Sequence, residues 1–96
     1  MTQVIVTPRG QADIERLCDF LLDSRPEEAA RTASLLADAL AILEIHPEVG
    51  RPYDLESREL VISRGRSGYL ALYHYDEVAD IATVMAIRHQ REAGYH

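Results

Sequence analysis

Residues 58–95, RELVISRGRSGYLALYHYDEVADIATVMAIRHQREAGY, constrain the fold more than any other stretch of the chain. Two turn-like interruptions, Gly65–Gly68 and Asp76–Asp80, divide it into three apolar runs: Glu59–Ser63, Tyr69–Tyr75 and Ile81–Ile87. Each run is strand-length, and the first two are rich in Val, Ile, Leu and Tyr, residues that fit a pleated surface. Connections this short favour antiparallel neighbours, because a parallel return needs a crossover of about a dozen residues or more. The spacing predicts a three-stranded meander. In its middle strand Leu70, Leu72 and His74 share one face, and Tyr69, Ala71, Tyr73 and Tyr75 the other. Both faces of the last strand are largely apolar, which predicts that it is central or covered on both sides.

The front half reads as one strand and two helices. Gln3–Val6 is a short apolar run, followed by Thr7 as a candidate N-cap and Pro8 at the first helical position. Ile14, Leu17, Cys18, Leu21 and Leu22 follow at helical spacing, with Asp13, Glu15, Arg16 and Asp19 on the other face. The helix ends before Ser24-Arg25-Pro26, since the residue before a proline disfavours the helical region. Pro26 opens a second helix with Glu27 and Glu28 in its first turn, where the helix dipole favours anions. That helix is expected to run to about His46 and stop at Pro47. Ala29, Ala33, Leu36, Leu40 and Leu43 form one apolar seam. Leu35, Ile42 and Ile45 widen it into a second face that the first helix cannot cover. The short link makes the helices an antiparallel hairpin. A loop, Glu48–Ser57, carries Gly50-Arg51-Pro52. The expected fold is a single α+β domain over residues 1–96, in the order β-α-α-β-β-β, with the helical hairpin packed on a mostly antiparallel sheet.

Composition narrows the function. Hydrophobic residues make up 47% of the chain, enough for a packed core and against disorder. No apolar run approaches the ~20 residues of a membrane span, and the N-terminus lacks the pattern of a signal peptide. Cys18 is the single cysteine and has no internal disulfide partner. These features point to the cytoplasm. The net charge is −6, and lysine is absent. Residues 1–57 hold five arginines against eleven carboxylates, whereas residues 58–96 hold five against five. A protein that grips phosphate backbones ordinarily carries excess basic charge, so a general nucleic-acid binder is disfavoured. No Gly-rich phosphate loop, paired cysteines or HExxH spacing occurs. The histidines are scattered at positions 46, 74, 89 and 96, so neither metal nor cofactor is expected. Ser63 and Ser67 lack a nucleophile-elbow motif.

What remains is a set of basic and aromatic residues: Arg64, Arg66, Arg88, His89, Arg91 and Tyr95. In a meander the first turn, with Arg64 and Arg66, and the exit of the third strand, with Arg88 and His89, lie at the same end of the sheet. Each of these also has a purely structural reading. The arginines balance nearby acids such as Glu92, and His89 is a half-buried, hydrogen-bonded strand-end residue. His74 reads as a core-edge histidine and Cys18 as an inert core residue. Tyr69, Tyr73 and Tyr75 read as a stripe packed on the helices with hydroxyls at the rim.

The element order, the helical hairpin, the Gly50-Arg51-Pro52 loop, the strand GYLALYHYD at Gly68–Asp76 and the terminal IRHQREAGY at Ile87–Tyr95 resemble the RelE/ParE toxin superfamily. The resemblance spans nearly the whole chain, and the terminal motif is its most specific part. It implies the toxin half of a bacterial type II toxin–antitoxin pair, neutralised by a small cognate antitoxin. That antitoxin would be ParD-like, often a ribbon-helix-helix protein, and DNA would be reached only through it. Two activities are implied. ParE-like members poison DNA gyrase, with no bond-making chemistry of their own. RelE-like members cleave mRNA on the ribosome, a reaction that needs a base, an acid and cations on the phosphate. Candidates for catalysis are Arg66, Arg88, His89 and Tyr95, and candidates for target binding are Arg64, Arg66, Arg88 and Arg91. Leu35, Leu36, Ile42 and Ile45 are candidates for antitoxin binding, by a helix-in-groove or strand-addition mode. The acidic helical body and the absence of lysine favour the ParE-like activity, since an RNA particle repels such a body. A ribosome-dependent endoribonuclease and a non-toxic remnant that still binds antitoxin remain the alternatives.

Overall fold

In the computed structural model, described for residues 1–62 and 68–96, Thr7 caps the first helix as its position suggests. Its Oγ1 accepts from the Gly10 N–H at 3.1 Å. The elements are β1 (Gln3–Val6), α1 (Pro8–Leu22), α2 (Pro26–Ile42), β2 (Arg51–Pro52), β3 (Arg58–Ile62), β4 (Tyr69–Asp76) and β5 (Ile81–His89). They form a five-stranded sheet in the order β1-β5-β4-β3-β2. The meander β3-β4-β5 is antiparallel, and β1 pairs with β5 in parallel. β5, apolar on both faces, is thus a central strand. The two-residue β2 is an addition to the expected order: Arg51 and Pro52 pair with Glu59 and Arg58 inside the predicted loop. Proline is tolerated there because β2 is an edge.

The register separates two faces. Tyr69, Ala71, Tyr73 and Tyr75 align with His89, Ile87, Val84 and Ala82 beneath the helices. Leu70, Leu72 and His74 align with Arg88, Ala86 and Thr83 on the opposite, open face. A bulge between Leu72 and Tyr73 leaves Met85 without a partner on β4. The core lies on the helix side. Its largest fully buried side chains are Tyr73, Leu36, Leu43, Ile87 and Val84, each worth about 1.5–3 kcal/mol of burial.

Tyr73 explains Gly50. The hydroxyl of Tyr73 does not reach the rim; the whole side chain is buried, and it accepts from the Gly50 N–H at 2.9 Å. A Cβ on residue 50 would stand 2.6–2.7 Å from the tyrosine ring and oxygen, so only glycine fits. Burial is the main reason that the Tyr73 phenol titrates above its ordinary range.

Several expectations are corrected. α2 ends at Ile42, short of His46, because Glu44 and Ile45 switch to three-residue turns on Ala41 and Ile42. Its inner seam is Ala29, Thr32, Leu36, Ala39 and Leu40, continued by Leu43, while Ala33 faces out. On α1, Leu22 is exposed and Asp13 is buried. Its carboxylate Oδ2 accepts from the Ile87 N–H at 2.8 Å. The cause lies in topology: β1 pairs with β5 only as far as Val84, so the β5 edge beyond it needs other partners. α1 supplies them. Thr7 Oγ1 donates to the Met85 carbonyl at 3.2 Å, and Asp13 takes the Ile87 N–H. His74 is exposed rather than at the core edge, and its Nδ1–H donates to the Glu56 carbonyl at 2.6 Å.

Candidate functional site

The open face of the sheet gathers polar side chains around one buried carboxylate. Strand alternation sets Glu59 and Val61 of β3 beside Leu72 and Leu70 of β4, and these beside Ala86 and Arg88 of β5. Glu59 is 4% exposed. Arg51, directly opposite on β2, donates to Glu59 Oε1 from Nε at 3.0 Å and Nη2 at 2.5 Å. The hydroxyl of Tyr95 donates to Glu59 Oε2 at 2.5 Å.

Two local structures deliver these groups. In the β2–β3 loop, Asp54 Oδ1 accepts from the N–H groups of Glu56 and Ser57 and from the Ser57 hydroxyl, at 2.9, 2.7 and 2.6 Å. That turn presents Tyr53 edge-on to Tyr95, with ring centroids 6.0 Å apart. After β5 the chain turns at Glu92, whose Oε1 accepts from the His89 N–H at 2.8 Å. Its Oε2 accepts from Arg16 Nη1 at 2.8 Å and from His96 Nε2 at 2.5 Å. The Glu92 carbonyl takes Arg88 Nη1 at 2.7 Å. Glu92 thereby ties the C-terminal tail to α1 and β5 and brings Tyr95 over the sheet. The Arg88 guanidinium carbon lies 5.2 Å from the centre of the Tyr95 ring, a cation–π contact.

Electrostatics fix the protonation states. Burial alone would raise the Glu59 carboxyl, but the Tyr95 and Arg51 hydrogen bonds outweigh it, with the Arg51 and Arg88 charges adding, so it titrates below its ordinary range. Burial also raises Glu92, and the His89 N–H, His96 and Arg16 reverse the sign. Tyr95 is pushed well above the usual phenol range by burial first and by the adjacent Glu59 second, with Arg88 opposing. The resting cluster is a carboxylate, a neutral phenol and two guanidinium groups. It holds an anion and has no group poised to take a proton at neutral pH.

The expected basic set is divided by the fold. Arg88 and Tyr95 meet on the open face. His89 aligns with Tyr69 on the helix side, edge-on to its ring at 5.2 Å between centroids, and its Nδ1 accepts from the Arg91 N–H at 3.1 Å. Arg91 is exposed and rims a separate groove of about 830 Å³ below the helical hairpin, with Leu17, Phe20, Leu21, Tyr69 and His89. Arg64 and Arg66 lie outside the described residues. Of the proposed antitoxin contacts, Leu36 is corrected to the core at 1% exposure. Leu35 packs partly against that core, and Ile42 and Ile45 are exposed. Glu59, Arg51 and Tyr53 were not singled out by sequence. Period-two alternation in the meander was the signal available for Glu59, and the loop triplet for Arg51.

A helical hairpin on one side of a five-stranded mixed sheet, with an arginine–tyrosine–carboxylate cluster on the other, defines an α+β class of fold. Residues 4–94 match the family described as the ParE toxin of the type II toxin–antitoxin system, parDE, and the chain belongs to that family. The chain is 32% identical over 92 residues to Toxin RelE3 of Caulobacter vibrioides, covering 96% of this chain and 98% of that one. It is 37% identical over 70 residues to Toxin RelE1 of the same organism, covering 73% and 75%. The fold is similar to a chain of the toxin–antitoxin complex RelBE2 from Mycobacterium tuberculosis, with a TM-score of 0.63 at 19% identity, covering 93% of this chain and 98% of that one. The protein is thus a member of the RelE/ParE superfamily of type II toxin–antitoxin toxins.

Proposed function

We propose that this toxin acts by gripping a protein, DNA gyrase, and not by cutting RNA. The observation that carries this reading is Glu59. Its carboxylate stands among Arg51, Arg88 and Tyr95, where RNA cleavage would need open cations to hold a phosphate and a group to accept the 2′-hydroxyl proton. Tyr95 is held protonated, and His89 belongs to the other side of the sheet. The acidic body, with a chain charge of −6, adds long-range repulsion toward RNA. The test is gyrase supercoiling with purified toxin in excess. Inhibition is expected; undiminished supercoiling would remove gyrase as the target.

The second reading is a ribosome-dependent endoribonuclease in the cytoplasm, favoured by the RelE names of two relatives and by the Arg88–Tyr95 contact. Mapping mRNA 5′ ends after induction separates the two, since only the ribonuclease produces codon-linked cuts. For neutralisation we infer a ParD-like antitoxin seated on Ile42 and Ile45 at the end of α2, next to Leu35. Ile42→Asp and Ile45→Asp should weaken the complex and leave folding unchanged; affinity equal to the parent protein would move the docking surface elsewhere.

A further inference from the structure

On the open face three donors from two segments converge on one carboxylate, Glu59. Arg51 gives Glu59 two N–H groups and Tyr95 gives it a hydroxyl. Behind the Tyr95 ring, Arg88 directs Nη1 to the carbonyls of Glu92 and His89 at 2.7 and 3.5 Å. Its Nε is buried with no hydrogen-bond partner among the described residues. A guanidinium edge and a phenol meeting on one anion, with a second guanidinium against the phenol ring adding its charge, is an arrangement that recognises an oxyanion. The position of the anion is filled from within, because the acceptor is a side chain of the same sheet. Arg51 is the solvent side of the cluster, its side chain 61% exposed against 5% for Glu59, so an outside anion has a path to the donors and finds them occupied.

We infer that the Arg51–Tyr95–Arg88 face is an oxyanion site whose resident occupant is the Glu59 carboxylate, and that Glu59 is the residue that keeps phosphodiesters off it. Carboxylate and phosphate oxygens satisfy the same N–H and O–H donors. A phosphate entering from solvent competes with an anion tethered beside the donors, whose effective concentration is that of an intramolecular partner, about millimolar or higher. It is also repelled by the charge of Glu59 while that side chain remains in place. Glu59 therefore determines specificity, deepening the reading of a protein target: one carboxylate separates a face that excludes nucleic acid from a face that accepts it.

The test uses the full chain, with neither gyrase nor ribosome, so its failure leaves the supercoiling result standing. Inorganic phosphate and a short single-stranded RNA are titrated into the parent protein, Glu59→Ala and Glu59→Gln. The Tyr95 ring and arginine Nε–H resonances are followed for phosphate, and fluorescence anisotropy for RNA. The parent protein should show no saturable shift. Both variants should bind roughly tenfold more tightly or better once a charge at contact distance is gone, with affinity falling as salt rises. Binding should disappear again in Glu59→Ala/Arg88→Ala. Glu59→Gln keeps the side-chain volume and decides the matter if the alanine variant does not fold. Folded variants that bind no better than the parent protein would overturn the inference, as would RNA binding that survives the double substitution.

Discussion

Beneath the helices, Ala71, Tyr73, Ala82, Val84 and Ile87 are all fully buried, covered by apolar residues that recur along two helices. On the open face, Glu59, Leu70 and Ala86 are buried as well, but what reaches Glu59 is a tail held by polar contacts. Tyr95 bonds to Glu59, Arg88 meets the Tyr95 ring, and Glu92 ties the tail to Arg16 of α1. The first cover depends mainly on area, with the buried Asp13 carboxylate as a polar exception. The second depends on a few ionised groups, and pH or a single polar substitution can loosen it. In this chain the apolar packing and the charged cluster thereby lie on opposite faces of one sheet.

The hardest challenge to this division comes from the helix side. Leu36 is 1% exposed, and Leu36→Ala should lower unfolding free energy by about 2–5 kcal/mol, the range for emptying a packed leucine site. Urea denaturation measures it. A loss below about 1 kcal/mol would mean that the helices do not seal the sheet as described. Next in size is Asp13→Ala, which leaves the buried Ile87 N–H without its acceptor. A cost of about 1–3 kcal/mol is expected, with Asp13→Asn milder because an amide oxygen still accepts. Equal effects from the two would show that the hydrogen bond is unimportant and the charge is what matters.

These two residues show what sequence patterning reveals and what it cannot. The seam of Ala29, Leu36, Leu40 and Leu43 was readable from helical spacing, and that spacing argues against Leu36 as an antitoxin contact. The meander was readable because its turns are too short for any return but an antiparallel one. Asp13 falls on the outer face by the same periodicity, and only the end of β1 at Val84 explains why a carboxylate is buried there. Glu59 was hidden for a related reason. Alternation shows that it shares a face with Val61, but its partners Arg51, Arg88 and Tyr95 come from three other segments. Alternation of adjacent residues already sets His89 and Arg88 on opposite faces, as the register shows, whereas the return of Tyr95 over Arg88 depends on the tail and has no periodicity to announce it. The bulge at Leu72/Tyr73 interrupts the simple alternation along β5 on which a reading of that strand depends.

A pH series separates the two covers further. Glu59 and Glu92 both titrate lower in the folded chain than the ordinary glutamate value of 4.5. The folded state therefore binds fewer protons than the unfolded one near that value. Their contribution is complete above it and is lost as pH falls through the lowered folded values. Stability should decline below about pH 4.5 in the parent protein and in Leu36→Ala alike, and less steeply in Glu59→Gln. Parallel acid profiles for the parent protein and Glu59→Gln would place the acid sensitivity elsewhere.

The mildest substitution isolates the tail. Tyr95→Phe keeps the ring over Arg88 and against Tyr53 and removes only the hydroxyl that donates to Glu59. Glu59 Oε1 retains both Arg51 bonds and only Oε2 loses its donor, so the global loss should stay near the lower end of about 1–3 kcal/mol. The more telling readout is local. Because Glu92 anchors the start of the tail independently, exchange should accelerate at the amides of residues 93–96 and not at those of β4 or Glu92 itself. If exchange across the tail is unchanged, the ring contacts alone hold Tyr95 in place, and the open face is closed by packing after all, like the face beneath the helices.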